Sequence, residues 1–141
     1  MGTRSLTIFK DEGLDVAVLY NQWDGYPTGY GKKLSSFLKK FSAVTNGIDT
    51  RTKRKTANGM GCLAAQVIAH FKTEVGTFYL EPAGTRDAGE VYRYTVSLTR
   101  IPDVGENSAQ ILLTVESGYG EKWETLYNGP VKQYRPKKEK K

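Results

Sequence analysis

Residues 16–41, VAVLYNQWDGYPTGYGKKLSSFLKKF, contain the change of pattern on which the fold turns. Val16-Ala17-Val18-Leu19-Tyr20 is apolar at every position, the mark of a strand covered on both faces and interior to a sheet. Leu34, Phe37, Leu38 and Phe41 then recur at the i, i+3, i+4, i+7 spacing of a helix with one apolar stripe. Lys32, Lys33, Ser35, Ser36, Lys39 and Lys40 fall on its other side. Between strand and helix lies Trp23-Asp24-Gly25-Tyr26-Pro27-Thr28-Gly29-Tyr30-Gly31-Lys32-Lys33. Flexible backbone, aromatic faces and positive charge there suit a small anionic ligand. The predicted helix starts near Tyr30 or Gly31 without a capping side chain, so its first N–H groups need partners. Asp24 folding back, or a bound anion, would supply them. Lysines in a first turn oppose the helix dipole by a few tenths to about 1 kcal/mol, which an anion would relieve.

Upstream, Leu6 to Phe9 and the turn Lys10-Asp11-Glu12-Gly13 complete a β-hairpin with the apolar run. Downstream, residues 45–59 lack apolar periodicity and read as a long basic loop. Met60, Leu63, Ala64, Val67, Ile68 and Phe71 mark a second helix. Phe78-Tyr79-Leu80 is a short strand. Tyr92, Tyr94, Val96 and Leu98 alternate with Arg93, Thr95, Ser97 and Thr99, as do Ile111, Leu113 and Val115 with Leu112, Thr114 and Glu116, each a half-buried strand. Trp123 to Tyr127 is the last. The order ββααββββ predicts an α+β fold: a mostly antiparallel sheet with two helices on one face. The expected domain is residues 1–131, followed by a basic, flexible tail, residues 132–141, without core-forming residues.

The 141 residues suffice for one domain with a real core. No run approaches the roughly 18–20 apolar residues of a membrane span, and the N-terminus lacks a signal-peptide core. Leu6 stands where a myristoylation motif needs Ser or Thr. Cys62 is the single cysteine, so no internal disulfide forms, in keeping with a reducing cytoplasm. The net charge of +6 is unevenly spread. Residues 32–55 carry eight basic groups and one acidic, and the tail carries six and one. The remainder is acidic on balance.

Met1-Gly2-Thr3-Arg4-Ser5, taken with Trp23-Asp24-Gly25-Tyr26-Pro27 and the later Gly29 and Gly31, resembles a family of small, uncharacterised phage and bacterial proteins. Asn58-Gly59-Met60-Gly61-Cys62-Leu63-Ala64-Ala65 and Gly84-Thr85-Arg86-Asp87 resemble later stretches of its closer members. The likeness covers much of residues 1–98. It implies a phage-related protein of the host cytoplasm, and brings no activity and no catalytic residue with it.

The glycine loop is not a Walker phosphate loop. Gly31-Lys32 is followed by Lys33 rather than Ser or Thr, Tyr26 stands where the first glycine belongs, and the loop leaves a hairpin. Anion binding by glycines, helix N–H groups and lysines remains, against an ordinary turn covered by tyrosines. Trp23, Tyr26 and Tyr30 can stack on a base, at about 1–3 kcal/mol each, or can serve as half-buried packing. Arg86 can hold a phosphate, or pair with Asp87 to fix the glycine turn they share. Arg51, Lys53, Arg54 and Lys55, with Lys137 and Lys138, can track a nucleic-acid backbone or be a solvated face. His70 and Cys62 lie about 80° apart around one helix and cannot form a dyad. A lone histidine and a lone cysteine make a poor transition-metal site. No catalytic signature and no cofactor motif is present.

The expected function is therefore non-enzymatic capture of a small phosphorylated, nucleotide-like ligand. Trp23, Asp24, Gly25, Tyr26, Thr28, Gly29, Tyr30, Gly31, Lys32, Lys33 and Arg86 are the binding residues, with sequestration of a host defence signal as the purpose. The alternatives are a nucleic-acid-binding module built on the basic loop and tail, and an inhibitor that docks its basic face on an acidic host protein.

Overall fold

The computed structural model describes residues 2–45, 55–100 and 108–137. Strands β1 (Ser5–Asp11) and β2 (Leu14–Asn21) form the hairpin, and a π-helical turn (Pro27–Gly31) runs directly into α1 (Lys32–Leu38). There follow β3 (Ala43–Thr45), β4 (Thr56–Asn58), α2 (Gly59–Phe71), β5 (Phe78–Glu81), β6 (Tyr92–Arg100), β7 (Ser108–Tyr119) and β8 (Lys122–Pro130), then a 3₁₀ turn, Val131–Gln133. The sheet runs β4-β3-β7-β6-β1-β2-β5, with β8 also on β7. Strands β3 and β8 share the outer edge of β7: β3 at Ser108 and Ala109, β8 from Leu112 to Tyr119.

The sheet-dominated α+β architecture holds, with two differences from the expected order. Short strands β3 and β4 flank the basic segment that reads as loop, and they pair in parallel. Residues 46–54 lie outside the described residues. The sheet is also mixed, because β1 pairs in parallel with β6, Ser5 opposite Tyr92 through Phe9 opposite Val96. The cause is topological. The hairpin lies between β5 and β6, so β5 lands outside β2 and β6 lands beyond β1 in the same direction. The connection, residues 82–91, must cross behind β1 and β2 to join them.

That strap gives the hairpin its second covering. On the front, Phe9 and Leu19 join Tyr94, Val96, Leu113 and Val115 beneath Leu34, Phe37 and Leu38 of α1 and Met60, Leu63 and Val67 of α2. On the back, Leu6, Ile8 and Val18 form a second cluster under Tyr20 and Ala88. Adjacent residues Val18 and Leu19 are therefore buried in opposite cores, as the apolar run predicts, whereas Val16 at the start of that run is 44% exposed. The alternation in β6 and β7 also holds, with Tyr94, Val96, Leu113 and Val115 all buried.

The expected tail begins too early. Tyr134 is a core residue at 4% exposure and packs on Tyr127 at 5.0 Å between ring centroids. Lys39 Nζ donates to the Tyr134 carbonyl at 2.7 Å, and burial followed by the charge of Arg135 holds that amine below its ordinary value. Among the described residues, no helix is long and apolar enough to cross a membrane.

Candidate ligand-binding cleft

The chain between β2 and α1 is held by its own backbone. Gln22 N–H donates to the Thr77 carbonyl at 2.9 Å, Gly25 N–H to Thr3 at 2.8 Å, and the Tyr94 hydroxyl to the Gly25 carbonyl at 2.6 Å. Gly29 N–H bonds the Tyr26 carbonyl at 2.9 Å, Tyr30 N–H the Asp24 carbonyl at 2.8 Å, and Gly31 N–H the Tyr26 carbonyl at 3.3 Å. The helix thus starts at Pro27, not Gly31. The N–H groups expected to await an anion are already closed, by main-chain carbonyls rather than by the Asp24 side chain.

The glycines serve internal packing as well. A Cβ on Gly25 would meet Ser5 Cβ at 2.7 Å, and one on Gly31 would meet the Tyr94 hydroxyl at 2.9 Å. Tyr30 is equally committed. It is 3% exposed, shares a 2.6 Å hydrogen bond with Thr7 Oγ1, and meets Phe71, Phe78 and Tyr94 at 5.2–5.7 Å between ring centroids. Burial pushes its hydroxyl well above the ordinary tyrosine value. Tyr30 is an aromatic floor, not a free stacking face.

Arg86 stands apart, in the strap behind the sheet. Both arms of its guanidinium bind Asp15, at 2.9 Å each, and Gly84 N–H adds a third bond to that carboxylate at 2.8 Å. The arginine hydrogen bond is the main reason the Asp15 carboxyl lies below its ordinary value. The Arg86 carbonyl accepts from Arg93, which donates to Glu90 at 2.8 Å and lies 3.9 Å from the Trp123 ring. Arg86 braces the strap, but by pairing with Asp15 at the start of β2 rather than with its turn neighbour Asp87 as the sequence suggests.

Two clefts meet in front of the loop. One, of about 340 Å³, has Tyr30, Phe71 and Phe78 as its apolar lining and Asn21, Trp23, Asp24 and Glu74 among its polar and aromatic walls. The other, of about 500 Å³, is lined by Thr28, Gly29, Lys32, Lys33, Ser36, Phe37, Lys40 and His70. Lys33 and His70 border both. Trp23 is 49% exposed, while His70 stacks on Phe37 at 4.1 Å and 14°. Lys55 continues the cationic side, its ammonium 5.3 Å from the Phe37 centroid and 5.1 Å from that of Phe41. No carboxylate of the described residues pairs with Lys32, Lys33 or Lys40.

Of the expected site residues, Trp23, Asp24, Tyr30 and Lys33 line the first cleft, and Thr28, Gly29, Lys32 and Lys33 the second. Gly25, Tyr26, Gly31 and Arg86 line neither. Tyr26 is 38% exposed, its hydroxyl donating to Asp24 Oδ1 at 3.4 Å. Of the nucleic-acid set, Lys55 joins the cationic face and Lys137 lines a separate groove with Tyr127 and Arg135. Arg51, Lys53, Arg54 and Lys138 lie outside the described residues.

Sequence reasoning misses Asn21, Glu74 and Thr77. Asn21 is 2% exposed at the end of β2. Thr77 has φ +67° and Asp24 φ +55°, and both border the first cleft. A β-branched residue in that region is held there by its surroundings at a cost on the order of 1–3 kcal/mol, a condition that clusters at functional sites. No residue pattern signals it, because the strain arises where the α2–β5 connection meets the end of β2. Among the described residues, no group of three or more His, Cys, Asp or Glu is placed to hold a metal ion. Comparison with family models, curated proteins and solved structures finds no match for this chain.

Proposed function

We propose that this chain is a non-enzymatic binding protein, phage-related as its sequence resemblance implies, that captures a nucleotide-like ligand across the two clefts. The base occupies the compartment of Trp23, Asn21 and the aromatic floor, and the phosphate lies against Lys32, Lys33 and Lys40. The observation that carries this reading is the adjacency of an aromatic, hydrogen-bonding compartment and a lysine compartment with no carboxylate partner among the described residues, the two sharing Lys33 and His70. A flat polar ring joined to an anion matches that division, and the combined volume suits a small ligand. Withholding a host signalling nucleotide is the purpose that accords with a phage context.

Calorimetry with linear and cyclic nucleotides tests the reading. Binding weakened by Lys32→Ala with Lys33→Ala, and by Trp23→Ala, supports it; absence of binding to the whole panel removes it. Lys55 beside Phe37 and Phe41 favours a second reading, in which a single nucleic-acid strand lies along the lysine face. Oligonucleotide affinity that falls steeply with salt, without mononucleotide binding, would put that reading first.

A further inference from the structure

We infer that the aromatic compartment reads the edge of a guanine base, with Asn21 as its donor and the carboxylates of Asp24 and Glu74 as its acceptors. The inference rests on the nucleotide reading above and assigns the base class to it.

Asn21 is the decisive group. Its side-chain oxygen accepts from the Trp23 N–H at 3.2 Å. A main-chain N–H only donates, so the partner atom must be Oδ1, and this sets the orientation of the amide. The amide nitrogen is then left with two N–H donors and no acceptor among the described residues. Ser5 Oγ is the sole partnerless polar side-chain atom sealed from solvent among the described residues. Asn21 Nδ2 therefore keeps an opening, and the cleft that Asn21 lines provides it. The residue is otherwise 2% exposed, so the donor is presented on a rigid strand end rather than a mobile surface chain.

An asparagine with both ends free reads adenine, accepting from its amino group while donating to a ring nitrogen. Asn21 has spent its acceptor on Trp23 and offers donors alone. Asp24 and Glu74 offer acceptors alone when ionised. One donor group and two acceptor groups complement an edge with one acceptor and two donors. Guanine has that edge: the 6-oxo group, the N1–H and the exocyclic 2-amino group. Hypoxanthine lacks the second donor. Adenine has one amino group beside one ring nitrogen, and cytosine reverses the order, so its amino group would meet the donors of Asn21.

The test compares guanosine, inosine, adenosine and cytidine monophosphates by calorimetry on the intact chain, its Asn21→Asp variant and its Glu74→Ala variant. Asn21→Asp keeps the oxygen that accepts from Trp23 and removes the donor, and its thermal melt checks that the fold survives. Glu74 is exposed, which makes Glu74→Ala safe for folding. The expected result is guanosine monophosphate bound about tenfold or more tightly than the adenosine and cytidine nucleotides. Asn21→Asp erases that preference, and Glu74→Ala narrows the gap between guanosine and inosine. Equal binding of all four, or a preference untouched by both variants, overturns the guanine assignment and leaves nucleotide capture standing. If none of the four and no other nucleotide binds, nucleotide capture itself fails and the assignment with it.

Discussion

The Tyr94 hydroxyl donates to the Gly25 carbonyl over 2.6 Å, and its ring fills the space that a side chain on Gly31 would need. One residue of β6 thereby holds both ends of the glycine segment. Gly31→Ala places a methyl 2.9 Å from that hydroxyl and should cost about 1–3 kcal/mol by overpacking. Tyr94→Phe removes the nearest of the obstructing atoms, leaving ring carbons at 3.1 and 3.3 Å, but it also leaves the Gly25 carbonyl short of a donor, about 1–3 kcal/mol. Urea denaturation of the single and double variants should show the pair costing less than the sum, because the two changes share one contact.

Tyr30 is a stability residue first. Tyr30→Phe keeps the ring and strands Thr7 Oγ1, buried at 0% exposure, so a loss of about 1–3 kcal/mol is expected. Tyr30→Ala empties the aromatic floor and should cost about 3–5 kcal/mol. Ligand affinity in the Phe variant should stay near that of the parent, measured under conditions where both are folded. A large loss of affinity there would make the hydroxyl a ligand contact instead.

Lys32, Lys33 and Lys40 make the opposite prediction. They are exposed, so alanine at any of them should change stability by no more than about 0.5 kcal/mol. Affinity for an anionic ligand should fall, and its dependence on salt should weaken as each charge is removed. Calorimetry at two ionic strengths, alongside melting curves, separates the two effects.

Both ends of the pH range should expose particular side chains. The depressed Asp15 carboxyl stabilises the fold above its ordinary value of 3.8, and that contribution is lost as pH falls through the lower folded value. Asp15→Asn should therefore flatten the acid limb of a stability profile below about pH 4. At the alkaline end, burial pushes Tyr134 up to about 12 and raises Tyr30 as well. Their stabilisation is complete below the ordinary value of 10.0 and fades as pH rises through the folded values. Tyrosinate absorbance should show these two rings ionising late, and Tyr134→Phe should remove one late step.

Deleting residues 132–141 takes Tyr134 out of the core and should cost about 3–5 kcal/mol, judged as an aromatic truncation. Loss of nucleic-acid affinity in such a deletion would report unfolding as readily as lost charge. Lys137→Ala with Lys138→Ala leaves Tyr134 in place. If that pair leaves oligonucleotide binding and its salt slope unchanged, the tail takes no part in it.

Local pattern made several elements legible. The unbroken run at Val16–Tyr20 places β2 inside the sheet, and the coverage of both faces that removes the need for polar alternation is met at Val18 and Leu19. The stripe Leu34, Phe37, Leu38, Phe41 and the alternation in β6 and β7 name their buried faces, since 3.6- and 2-residue periods follow from backbone geometry alone. Strands β3 and β4 are three residues each, too short to carry a period, and they exist because β7 and one another supply their hydrogen bonds. Nothing local announces that β1 pairs in parallel with β6.

For the candidate site, composition and period are enough to show that Trp23 to Lys33 joins strand to helix and begins the basic stretch, because both are properties of the chain. What each residue there does follows from contacts made in the folded chain. Gly25 and Gly31 make room for Ser5 and Tyr94, Tyr30 turns into the core, and Arg86 pairs with Asp15 from the strap behind the sheet. Asn21 and Thr77 reach the cleft instead. Which residues face a ligand depends on which backbone groups and rings are already satisfied by partners distant in the chain, and that accounting closes only when the strands, helices and strap are in place.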